Sequence, residues 1–170
     1  MQIETERLIL RAVDPDRDFD AWARALADEE TVRYLNGEVL NRALAWRNMA
    51  MILGHWQMRG YGFFSVEEKD SGDWVGRVGP WNPEGWPEPE VGWLIAREYW
   101  GTGYATEAGR ASIDFAYQEL GWQRVVHVIL VGNERSAAVA RKLGSEFERR
   151  ESELPGVTDQ EVLVYAQARD

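Results

Sequence analysis

The stretch Glu90-Val-Gly-Trp-Leu-Ile-Ala-Arg-Glu-Tyr-Trp-Gly-Thr-Gly-Tyr-Ala-Thr-Glu-Ala108 decides how the chain is read. It runs as an apolar strand, a glycine turn and the start of a helix. Thr102, Gly103, Tyr104 and Ala105 stand where the turn becomes the helix. Amides in a first helical turn have no intrahelical partner and point the same way. The positive end of the helix dipole lies behind them, so the turn suits a phosphate or pyrophosphate.

Working outward, residues 7–13 read as a first strand, and Asp14-Pro-Asp16 opens a helix running to about Asp28. A short helical piece at 31–35 is closed by Asn36-Gly37, and Asn41 caps a longer helix that Gly60 ends. Leu44, Met49, Ile52, Leu53 and Trp56 form its apolar side. The period then changes to two. Residues 61–68 and 74–81 form a hairpin around 69–73. A stiff loop, 80–89, holds four of the six prolines. Strand 91–96, helix 104–120, strand 124–131, helix 133–143 and a hairpin of 147–154 with 161–167 complete the chain. The order is β-α-α-β-β-β-α-β-α-β-β. The unit from Val91 to Val131 predicts two parallel strands with a right-handed crossover. The expected class is α/β (α+β), one domain over residues 1–170.

Composition removes several chemistries. The 170 residues contain no cysteine, so neither a thiolate nucleophile nor Cys-ligated zinc is available. Two histidines, His55 and His127, are too few for a histidine-rich metal centre, and no metal is expected. His127, within an apolar strand, reads as a satisfied core histidine. A net charge of −10 argues against a nucleic-acid partner. No run of apolar residues reaches membrane-span length, and the N-terminus lacks signal-peptide features, so a cytoplasmic chain is expected.

The glycine turn fits neither familiar nucleotide loop. A Walker A loop needs Gly-Lys-Ser/Thr, and Gly103 is followed by Tyr104. A dinucleotide fingerprint needs a third glycine, where this chain has Thr106, and belongs in an opening βαβ unit.

Trp100-Gly-Thr-Gly103-Tyr-Ala105 resembles the coenzyme A pyrophosphate loop of the GNAT acetyltransferases, whose pattern is Gln/Arg-x-x-Gly-x-Gly/Ala. The opening Ile3-Glu-Thr-Glu-Arg-Leu-Ile-Leu-Arg11 and the later Gly132-Asn133-Glu-Arg-Ser136 are similar to the branch containing the ribosomal-protein N-terminal acetyltransferases. The resemblance spans nearly the whole chain. It implies a GNAT fold: a mixed twisted sheet of about seven strands with about four flanking helices, its central parallel strands splayed.

The resemblance also implies roles. The backbone of Leu94, Ile95 and Ala96 would pair with the pantetheine arm of acetyl-CoA, and the Ile95 N–H would hold the thioester oxygen. The turn from Gly101 through Thr102, Gly103, Tyr104 and Ala105 to Thr106 would bind pyrophosphate. Trp100 replaces the usual Gln or Arg, which leaves more of that contact to backbone amides. Glu90 stands where many members carry a catalytic carboxylate. It would take the amine proton through water, or bind the cationic amine, or pair with an arginine. Asn133 would hold pantetheine, and it also suits a plain helix cap. Ser136 would protonate the departing thiolate, because Ala140 occupies the position of the commoner tyrosine acid. Tyr34 and Leu35 match the region that shapes acceptor pockets. Trp81 and Trp86 lie in the proline-stiffened loop, where aromatic faces suit an amine.

The resulting expectation is an acetyl-CoA-dependent N-acetyltransferase. A protein N-terminus, amino acid, polyamine or aminoglycoside-like amine would attack in a ternary complex, and the resemblance implies a homodimer. The alternative is a non-catalytic coenzyme A-binding sensor or interaction module.

Overall fold

The computed structural model describes residues 1–35, 37–152, 154 and 159–169. Asn36, expected to close a short helix, and Glu153, expected within the penultimate strand, lie outside them. One sheet organises the chain. In chain order its strands are β1 (Gln2–Glu4), β2 (Leu8–Arg11), β3 (Phe64–Glu68), β4 (Trp74–Trp81), β5 (Glu90–Ile95), β6 (Arg124–Leu130), β7 (Glu146–Glu151) and β8 (Val162–Ala168). Their spatial order is β1-β2-β3-β4-β5-β6-β8-β7. The helices are α1 (Pro15–Leu26), α2 (Glu29–Val32), α3 (Arg42–Arg59), α4 (Tyr104–Gln118) and α5 (Glu134–Lys142).

The expected element order holds, with two refinements. A further short strand, Gln2–Glu4, pairs antiparallel ahead of the expected first one, and the last strand inserts beside β6, which leaves β7 at the edge. The described residues form eight strands and five α-helices, against about seven and about four expected. Caps explain the helix ends. Asp14 and Asn41 accept amides at the starts of α1 and α3, and Gly60 closes α3 at φ +77°. Met49 and Ile52 of the expected apolar side of α3 are buried, and Leu53 and Trp56 pack partly buried against the same core; Leu44 is exposed, and Ala45 and His55 complete the inner face.

Helix α4 packs its buried Tyr104, Ala108 and Phe115 against Leu8, Phe64, Val78 and Ile95. On the opposite face of the sheet, α1 and α3 cover Trp74, Trp81 and Leu94. Among the described residues the one parallel pair, β5 with β6, is in register at Glu90 and Val126 alone. Beyond that point the two strands part, as splayed central strands require.

Asp18 fixes α1 to the sheet. Its buried carboxylate accepts Arg11 Nη1 and Nη2 at 3.0 and 2.6 Å, Ser65 Oγ at 2.5 Å and the Asp14 amide at 2.9 Å. Removing the carboxylate leaves Arg11 with Glu67 alone, at 3.0 Å, and strips the Ser65 hydroxyl and the Asp14 amide of this acceptor. Asp18→Ala should lower unfolding free energy by about 3–5 kcal/mol in urea titration. A loss under about 1 kcal/mol, the size of an exposed pair, would contradict this.

Candidate functional site

Glu90 is the first residue of β5 and sits at the point of divergence. Its Oε1 accepts the Val128 amide at 3.0 Å, so its carboxylate reaches into the gap that the missing ladder leaves. Only 7% of the residue is exposed. Burial pushes its carboxyl up to about 7, against the pull of the Val128 N–H, the nearby Trp86 indole and the Arg77 charge. The Trp86 Nε1 lies outside hydrogen-bond geometry and has no partner among the described residues.

A cleft of about 870 Å³ passes through this gap. On the α3 side its walls include His55, Trp81, Trp86 and Arg77, with Tyr34 and Leu35 also lining it. Trp81 stacks on His55 at 4.3 Å between centroids and leans on Phe63 at 5.1 Å. The His55 ring is fixed by the Tyr61 carbonyl at 2.8 Å and the Asn82 amide at 3.2 Å, and burial lowers its pKa. On the other side of the sheet the same cleft meets Trp93, Asn133 and Ser136.

Asn133 caps α5: its Oδ1 accepts the Ser136 amide at 3.2 Å. The Ser136 hydroxyl accepts the Trp93 Nε1–H at 3.2 Å, which keeps its own proton available to a further acceptor. His127 is a core group, as expected. Its Nδ1 donates to Val91 O at 2.6 Å and its Nε2 lies 2.9 Å from Ser145 Oγ. Burial pushes it down to about 4, so it is neutral near pH 7.

The glycine turn lies outside this cleft, past a 3-10 turn at Arg97–Tyr99. Gly103 begins α4 at φ +89° with no side-chain cap. Among the described residues, the amides of Thr102, Gly103, Tyr104 and Ala105 have no hydrogen-bond partner, while those of Thr106 and Glu107 bond Gly103 O. The Thr102 hydroxyl is committed to Tyr99 O at 2.6 Å. Four adjacent unpaired donors at an uncapped helix start fit an anionic group. Trp100 closes the end of β5 by donating its Nε1–H to Ile95 O at 2.7 Å.

The backbone of residues 94–96 divides between two neighbours. The Ala96 amide is spent on Val75 O at 2.9 Å. Leu94 is in register with Arg77 of β4. Alternation along a strand then turns the Leu94 backbone groups toward β4 and the Ile95 N–H toward the gap.

Three contributors were not legible in the motif. Arg77, on β4, is 5% exposed and lines the cleft. Burial lowers its guanidinium to about 10, which leaves it charged at neutral pH. Arg135 lies 4.3 Å over the Trp100 ring, and Arg7 donates to Thr102 O at 2.9 Å. The loop position that lacks a basic side chain is thus flanked by Arg135 and by Arg7, whose charge is already paired with Glu107 at 2.7 Å. Only tertiary packing shows this, because Arg7 and Arg135 are remote from the loop in sequence.

Among the described residues no group of three or more His, Asp or Glu side chains is arranged to hold a metal ion. No helix among them is long and apolar enough to cross a membrane.

Comparison with known proteins agrees with this geometry. YkkB of Bacillus subtilis is 28% identical over 156 residues, covering 87% of each chain. YdaF of the same organism, named as a candidate ribosomal N-acetyltransferase, is 44% identical over 55 residues, which is 32% of this chain and 30% of YdaF. A crystal structure of an acetyltransferase from Agrobacterium tumefaciens superposes with a TM-score of 0.85 at 28% identity, covering 99% of this chain and 95% of that one. The family model for the acetyltransferase (GNAT) domain matches residues 7–146. With the splayed strands and the uncapped glycine turn in place, the chain belongs to the GNAT acetyltransferase family.

Proposed function

We propose that the protein moves an acetyl group from acetyl-CoA to a primary amine by direct attack within a ternary complex. The observation that carries this reading is Glu90, which stands in the strand gap where the two halves of one cleft meet. Acetyl-CoA supplies an acyl carbon activated as a thioester. The unpaired amides of residues 102–105 bind its pyrophosphate, with Arg135 adding positive charge nearby. The Ile95 N–H holds the thioester oxygen as negative charge builds on it.

An amine is mostly protonated near neutrality and has no lone pair for attack. Glu90, through a water, takes one proton from it. The nitrogen then forms a bond to the acyl carbon, and the carbon–sulfur bond breaks with its electron pair leaving on sulfur. Ser136 gives its proton to that thiolate and is reprotonated from solvent. The products are the N-acetyl amide and coenzyme A thiol. No acetyl-enzyme is needed, and the chain has no cysteine to form one by thioester exchange.

Thiol release over a broad amine panel tests the reading. Glu90→Gln should lower kcat by about 10²–10⁴-fold at pH 7.5, the usual reach of general-base help. An unchanged kcat would remove Glu90 as the base. The wild-type rate should fall as pH drops below about 7, where Glu90 takes up its proton, and the variant should lose that limb.

The same group has an opposite effect on folding. Its carboxyl ionises at about 7 in the fold but near 4.5 when free. Between these values the folded state holds a proton that the unfolded chain has lost, so stability falls as pH rises. The stability gain of Glu90→Gln over wild type should therefore grow from pH 4.5 to 7, by up to about 3 kcal/mol, and then level. A gain independent of pH in denaturant titrations would contradict this.

Gly103→Ala places a side chain at φ +89°. The cost of about 1–2 kcal/mol in that region is relieved if the variant turn relaxes out of the conformation that aims its amides at one point, and binding must then restore it, so KM for acetyl-CoA should rise by up to about 5–30-fold. Titrating the thiol-release rate against acetyl-CoA measures this; an unchanged KM would contradict pyrophosphate on this turn.

A further inference from the structure

Arg77 has no anionic partner where one is needed. It lies on β4 facing α1 and α3, 5% exposed, and lines the cleft. Among the described residues no carboxylate comes within ion-pair distance of it, and its buried Nε has no hydrogen-bond acceptor. Its guanidinium rests over Phe63 at 4.4 Å and near Trp22 at 5.4 Å. Ring faces offset only part of the cost of burying a charge.

A second donor shares the condition. The Trp86 Nε1–H is buried and also unpartnered, in the wall of the same cleft. Asn48 adds a third. Its Oδ1 accepts from Trp22 Nε1 at 3.2 Å, which leaves its amide N–H groups for another acceptor. Glu90 answers this set only in part: its charge is felt at Arg77 and by the Trp86 indole, but its Oε1 is held by Val128 and neither donor reaches it in hydrogen-bond or ion-pair geometry. The other acid of the cleft, Glu84, is fully exposed at the rim beside Arg59. One buried positive charge and two neutral donors, with no acceptor among them, match a carboxylate.

Spacing fits a small molecule. Arg77 is in register with Leu94, four residues along β5 from Glu90, about 13 Å of strand at the usual rise. Both long side chains shorten that distance, and the Arg77 charge is felt at Glu90. An amine at Glu90 and an acid at Arg77 are then two ends of one ligand. Polyamines and aminoglycosides would instead place a further cation beside a buried one.

We propose that the acceptor is an amino carboxylate of amino-acid type, with its carboxylate received by Arg77 and Trp86 and its amine presented to Glu90. This rests on the acetyl-transfer reading above. The test is thiol release with the purified wild-type chain and acetyl-CoA. The panel holds the common α-amino acids and several β- and γ-amino acids, each with its carboxamide and its decarboxylated amine, together with spermidine and a short peptide. For the best set, kcat/KM of the acid should exceed that of the amide by about 100-fold, the cost of leaving a buried charge unpaired. Arg77→Met should raise KM for the acid by a similar factor with a smaller change in kcat, and erase the preference. Arg77→Lys should restore part of it.

Equal use of acids and amides, or faster use of spermidine or peptide, would overturn the inference and leave acetyl transfer standing. So would an Arg77→Met variant that keeps the preference and only moves the acidic limb of the pH profile, because Arg77 would then serve Glu90 alone. If Arg77→Met does not fold, the wild-type comparison of acid with amide decides. Thiol release from no amine at all would remove both readings.

Discussion

Two parallel strands that part after a single register pair are the constraint on which the rest depends. β5 and β6 meet at Glu90 and Val126, and no ladder follows. A sheet interior normally spends every backbone donor and acceptor on its neighbour. Here the gap is bridged by side chains: Glu90 takes the Val128 amide, and His127 donates to the Val91 carbonyl. Both bridges lie near the point of divergence. Past them the Ile95 edge of β5 is left for a ligand, and the cleft crosses from one face of the sheet to the other. Each flank is then rigid for its own reason. α4 is packed on the sheet through Tyr104, Ala108 and Phe115, and α1 is pinned by Asp18.

Electrostatics divide the site into three regions. At the glycine turn, unpaired amides and Arg135 favour a strong anion. At the junction, burial holds one carboxyl near 7, poised to exchange a proton near neutral pH. Deeper on the α3 side, a buried arginine and an indole N–H lack an acceptor. The overall charge of −10 is therefore a poor guide to the cleft, whose buried charges are one acid and one base. Trp93 couples the two sides, since it touches His127 at 4.9 Å between centroids and donates to Ser136.

Local signals were legible in the sequence because they act over a few residues. Asp14, Asn41 and Gly60 mark helix ends, and the turn at 101–105 marks an uncapped helix start with free amides. Glu90 and Ser136 were legible through motif position, and both line one cleft. Packing over long separations was not legible. The place of β8 between β6 and β7 and the approach of Arg135 to Trp100 depend on how distant segments meet. Arg77 sits in an apolar strand pattern, Trp-Val-Gly-Arg-Val-Gly, where an arginine reads as an outward-facing residue. Its burial follows from α1 and α3 covering that face of the sheet.

The central claim is that one cleft through the strand gap brings the acyl donor and the acceptor together at Glu90. A crystal structure with acetyl-CoA bound tests it most directly. The account predicts pyrophosphate on the amides of residues 102–105, the thioester oxygen at the Ile95 N–H, and the acyl carbon in the gap within one water of Glu90. A donor bound wholly on the α3 side, or a gap closed by continuous β5–β6 pairing, would contradict it.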